Sequence, residues 1–71
     1  MNWDRIESEW KQFVGSAREH WGKLTEDDWQ IVAGKKDQLV GWIRLRYGVA
    51  KEEAEDQIDE WSRALDNALK K

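Results

Sequence analysis

From Trp3 to Trp21 the apolar side chains advance in steps of three and four: Trp3, Ile6, Trp10, Phe13 with Val14 beside it, Ala17 and Trp21. At about 3.6 residues per turn this spacing puts them on one face, predicting a helix that needs a surface to bury it. The spacing returns in Leu39, Val40, Ile43 and Tyr47, and again in Ala54, Ile58, Trp61, Leu65 and Leu69, with no proline to interrupt it. Gly22 after Trp21 and Gly48 after Tyr47 stand where left-handed residues end helices, a conformation that costs glycine no Cβ clash. Trp29, Ile31 and Val32 mark a helix between these two. Thr25 is its expected N-cap, Glu26, Asp27 and Asp28 favour its first-turn amides, and Leu24 is placed to staple onto Trp29. Lys35 and Lys36 would suit a helix carboxyl end better than the amino end they occupy, so Ala33 to Lys36 reads as a tight corner.

The segment QFVGSAREHWGKLTE (12–26) aligns with QLVGWIRLRYGVAKE (38–52) at a constant offset. Gln, Val, Gly, Arg, Gly and Glu coincide, Phe13 pairs with Leu39, Ala17 with Ile43 and Trp21 with Tyr47, and further on Val32 pairs with Ile58. Each half reads as helix, aromatic–glycine stop, helix. The expected fold is therefore all-α, a small four-helix bundle of two packed helical hairpins with an approximate internal repeat. It forms one domain over 1–71, with half-repeats at about 10–35 and 36–61 and a helical tail over 62–71. Gly22 and Gly48 become equivalent caps, and Trp10, Trp21 and Trp61 are expected in the core. Gly15 and Gly41 are equivalent too, yet lie away from their stripes, and close packing within the stripe does not explain them.

Charged residues make up 38% of the chain, a share that would suit a disordered protein, but six tryptophans in 71 residues supply the apolar surface that a fold requires. With no cysteine, neither a disulfide nor a thiolate metal site can form, and the fold rests on packing. No apolar run reaches the roughly 20 residues of a membrane span, and the amino terminus has no signal-peptide pattern, so a soluble cytoplasmic protein is expected. The net charge of −3 gives no general attraction for nucleic acid or anionic lipid.

Chemistry is sparse. His20 is the single histidine, without a second nitrogen or sulfur donor for zinc. The carboxylates from Glu52 to Glu60 lie along a helix with no calcium-loop spacing and read as a solvated face. Ser8, Ser16, Thr25 and Ser62 have no histidine or lysine arranged to activate a nucleophile. We expect no enzyme, no cofactor and no metal.

The stretches WKQFVGSAREHWGKLTEDD, GKKDQLVGWIRLRYG and KEEAEDQIDEW resemble the CsbD-like family of small bacterial stress-response proteins, over most of the chain from Asn2 to Trp61. The resemblance implies a small helical bundle acting in general stress and supplies no catalytic residue to carry over. Val14, Trp42 and Leu45 stand where the family usually has charged or polar residues. On the third predicted helix Leu45 points nearly opposite the apolar stripe, and Trp42 lies between, close to Gly41. Gly41, Trp42 and Leu45 therefore read as a surface for self-association or a protein partner. Burial of that helix on both sides is the competing reading. An alternative function, nucleic-acid binding, would use Lys23, Lys35, Lys36, Arg44 and Arg46, were they to converge near the hairpin ends; nucleic acid is the less expected partner.

Overall fold

The computed structural model describes residues 2–69 and shows five helices and no strand among them: α1 (Trp3–Ser8), α2 (Trp10–His20), α3 (Glu26–Val32), α4 (Lys36–Tyr47) and α5 (Lys51–Leu69). The continuous stripe from Trp3 to Trp21 is thus divided. At Glu9 the backbone leaves helical geometry (φ −113°, ψ 32°), although its N–H still donates to the Arg5 carbonyl at 3.0 Å. Neither proline nor glycine causes the break. Tertiary contacts account for it: swung off the α2 axis, Trp3 donates its indole N–H to the Gly34 carbonyl at 2.9 Å and packs 6.1 Å from the ring of Trp61.

α3 starts as its sequence dictates. The Thr25 hydroxyl accepts from the Asp28 N–H and the Asp28 carboxylate accepts from the Thr25 N–H, a reciprocal capping box of a kind whose cap is worth about 1 kcal/mol. Leu24 and Trp29, the predicted staple, are both buried. The corner after α3 lies where Lys35 and Lys36 implied it. Ala33 (φ 44°) and Gly34 (φ 83°) are both left-handed, and the chain re-enters helix at Lys36 with no side-chain cap from Lys35. A Cβ at Gly34 would sit 3.2 Å from Cβ and Cγ of Trp10, so glycine is required there by packing as well as by φ.

The two glycine stops differ. Gly48 is a left-handed cap (φ 67°) whose N–H donates to the Arg44 carbonyl at 2.9 Å. Gly22 is not left-handed: α2 already ends at Trp21 (φ −118°, ψ 66°), and the expected equivalence of the two caps fails. Trp21, turned into the core, takes the chain out of the helix one residue earlier.

α4 is the central packing element, lying against both α3 and α5, while α1 adjoins α2 across Glu9. The core includes Ile6, Trp21, Leu39, Ile43, Ile58 and Trp61. Of the paired positions, Phe13 and Leu39, Ala17 and Ile43, and Val32 and Ile58 are all buried, whereas Trp21 is buried and its counterpart Tyr47 only half-buried. Trp10 is only half-buried, against the expectation for it, because the break at Glu9 leaves it at the rim between Trp3 and Trp29. Two of the buried indoles donate hydrogen bonds, Trp21 to the Gln57 side chain at 3.0 Å and Trp61 to the Ser16 hydroxyl at 3.1 Å.

Candidate interaction surface

α4 turns Leu39, Val40 and Ile43 into the core and leaves Asp37, Gln38, Gly41, Arg44, Leu45 and Arg46 exposed, along with its cap Gly48. At about 100° per residue all of these except Arg46 fall within about 60° of Gly41 on a helical projection, forming one outward stripe with the two glycines near its middle. Leu45 is 66% exposed. Gly41, Arg44, Leu45 and Val49 line one shallow groove, and Asp37, Val40, Gly41, Arg44, Lys51 and Glu55 line another on the opposite flank. Nothing lies within 4 Å of a Cβ built on Gly41, and the same holds for Gly15. Their mid-helix positions are not forced by contacts within the molecule.

Trp42 belongs less to this surface than its sequence position suggested. It is half-buried against the core, and the Arg46 guanidinium lies over its ring at 5.4 Å. Arg46 is held there by Asp28, with hydrogen bonds of 2.8 and 3.1 Å to the two carboxylate oxygens. Asp28, only 2% exposed, is the buried charged residue among those described. Its carboxyl is lowered from 3.8 to about 2, chiefly by the hydrogen bond from Arg46, against desolvation and with help from Thr25. Arg46 is correspondingly shifted up by that bond. The pair ties the start of α3 to the end of α4 and screens one side of Trp42. No pattern in the sequence links residues so far apart. Ile31, 52% exposed on α3, is a second solvent-facing apolar residue that the helical spacing did not single out.

The five basic residues do not gather at one place. Lys35 and Lys36 stand at the start of α4, and Arg46 stands about 15 Å further along it at 1.5 Å per residue. Lys23 sits with its ammonium 5.2 Å from the centre of the Tyr47 ring, also at the far end. Lys36 reaches Asp59 at 3.5 Å, and Arg46 is committed to Asp28. Lys35 and Arg44 are left with no charged partner among the described residues.

The hydroxyls have structural tasks. Ser8 and Ser62 donate to the Arg5 and Asp59 carbonyls, Thr25 caps α3, and Ser16 accepts from Trp61. His20 is exposed and meets the Trp21 ring edge-on at 4.5 Å. Among the described residues no group of three His, Cys, Asp or Glu could hold a metal ion, and no helix is long and apolar enough to cross a membrane.

Residues 4–56 match the family model described as CsbD-like. The chain is 52% identical over 66 residues to the UPF0337 protein YjbJ of Escherichia coli O6:H1, covering 93% of this chain and 96% of that one. It is 54% identical over 61 residues to the UPF0337 protein ECA0631 of Pectobacterium atrosepticum, covering 86% and 88% respectively. With the UPF0337 protein NE2439 of Nitrosomonas europaea it shares 41% identity over 68 residues, 96% of this chain and 72% of the relative. A family match over most of the chain, with the Escherichia coli relative aligned almost end to end, means that the chain belongs to the CsbD-like family of stress-response proteins.

Proposed function

We propose that this chain is a non-enzymatic stress-response protein of the cytoplasm that works by protein contact through the outer face of α4. Leu45 carries the reading: a large apolar side chain, 66% exposed, on a helix whose inward face is already fully used. A single exposed leucine is ordinary in a soluble protein. Here it adjoins the half-buried Val49, the bare backbone of Gly41 and the unpaired Arg44, a grouping that offers apolar area, close approach and a charge for orientation. The structural engagement of Ser8, Ser16, Thr25 and Ser62 supports a non-enzymatic role, since each hydroxyl already serves a cap, a carbonyl or an indole. The separation of the basic residues along α4 favours protein contact over nucleic acid. The shared burial of Phe13 and Leu39, Ala17 and Ile43, and Val32 and Ile58 supports a bundle of two packed hairpins with an approximate repeat, about 10–35 and 36–61, although Trp21 and Tyr47 differ in burial and the glycine stops differ in conformation.

The test is a photo-activatable benzophenone side chain at position 45 in cells producing the protein, with the same group at exposed Glu53 as control. A discrete crosslinked species is expected from position 45, weakened by Arg44→Glu and absent from position 53. No adduct at 45, or an equal ladder from both positions, would remove α4 as the working face.

A further inference from the structure

Resting on that reading of α4, we infer that the occupant of its outer face is a second copy of the same chain, bound antiparallel about Gly41. The stripe is self-complementary in charge. Arg44 lies three residues after Gly41 and Asp37 four before it, on the same flank, and neither has an ion-pair partner among the described residues. A two-fold axis beside Gly41 sets each residue of one α4 opposite the residue equally far from Gly41 in the other direction on its copy. Arg44 then meets Asp37 of the second copy with an axial mismatch of about 1.5 Å, one residue's rise, and symmetry makes the ion pair twice. A parallel arrangement, with the two-fold along the helices, would swap the flanks and set Arg44 beside Leu45 and Asp37 beside Gln38 of the second copy, so neither charge would meet its opposite.

The other flank fits the same register. Leu45, four residues after Gly41, falls beside Gln38 of the second copy, three before, and covers that side chain's aliphatic stem together with the exposed backbone at Gly41. With no Cβ at Gly41 on either copy, the helix axes can approach until Leu45 loses its water. The contact is one helix on one helix, well short of the roughly 1,200–2,000 Å² buried by standard stable interfaces. The dimer is therefore a weak one that forms at high protein concentration.

Sedimentation equilibrium of the purified full chain, from micromolar to millimolar, tests this. The wild type is expected to rise from the 8.5 kDa monomer toward twice that mass, less steeply as salt is added. Leu45→Glu and Gly41→Gln, both at exposed positions where the monomer has room, should stay monomeric with unchanged circular dichroism. Arg44→Glu alone and Asp37→Arg alone should weaken association, and the two together should restore it. A wild type that is monomeric throughout, or one whose association survives Leu45→Glu and Gly41→Gln, overturns the proposal. Failure of the charge swap to restore mass overturns the antiparallel register. If position 45 crosslinks in cells to a different protein while the purified chain stays monomeric, self-pairing fails and the contact-face reading stands. If position 45 gives no adduct, the reading itself falls.

Discussion

Asp28 shows how one residue serves two structures at once. It closes the capping box that starts α3 and accepts two hydrogen bonds from Arg46 at the end of α4. Its folded carboxyl, at about 2, lies below the ordinary 3.8, so the stability it contributes is fully present above 3.8 and is lost as pH falls toward 2. NMR titration of the Asp28 carboxyl should give a midpoint close to 2 in the wild type and a clear upward shift in Arg46→Gln; a wild-type midpoint near 3.8 would mean that the pair does not hold in solution. Asp28→Asn should be less stable than wild type at neutral pH and lose less stability on acidification through that window. At Gly34, alanine would take a left-handed φ, worth roughly 1–2 kcal/mol, and also press its Cβ onto Trp10 at 3.2 Å. Gly48→Ala carries the φ strain without the contact, since a Cβ there meets nothing within 4 Å. Thermal melts should therefore rank Gly34→Ala below Gly48→Ala, and equal stability would refute the Trp10 contact.

Among the elements, α2 and α4 each carry a glycine in mid-helix with open space where a Cβ would go. Glycine in a helix interior costs about 0.5–1 kcal/mol relative to alanine, so Gly15→Ala and Gly41→Ala should each raise stability by that amount in urea unfolding. A loss at either position would show a hidden neighbour. Combined with sedimentation, Gly41→Ala separates the two roles of the position, because a monomer made more stable should also dimerise less. Gly22→Ala should be close to neutral, unlike Gly48→Ala, since α2 ends at Trp21 without a left-handed residue. Helix spacing read from the sequence located α3, α4 and α5, because apolar period, capping box and the Lys35–Lys36 misfit are local signals. The break at Glu9 has no local signal. It follows from Trp3 reaching Gly34 and Trp61, contacts made with segments more than 30 residues away.

In the whole molecule five of the six tryptophans, all but Trp42, form a chain of rings running from the core to its rim. Trp61 lies 6.1 Å from Trp3 and 5.3 Å from Trp21, and Trp10 lies 6.3 Å from Trp3 and 6.2 Å from Trp29. Truncating a buried aromatic commonly costs about 3–5 kcal/mol out of the ~5–15 kcal/mol a small domain has. Trp61→Ala should accordingly be largely unfolded by circular dichroism, and a wild-type melt would refute its place in the core. Trp3→Ala should leave the domain folded but open α1, seen as faster amide exchange confined to residues 3–8. The sequence by itself determined that the chain is helical, where most helices begin and end, and which stripe of each goes inside, because period, caps and the absence of proline act within a few residues. Tertiary structure alone decided the division of the first helix, the loss of a left-handed cap at Gly22, the shielding of Trp42 by Arg46 and the half-exposure of Trp10. Each of these depends on which distant segment arrives to fill the space, and spacing along one helix carries no record of that.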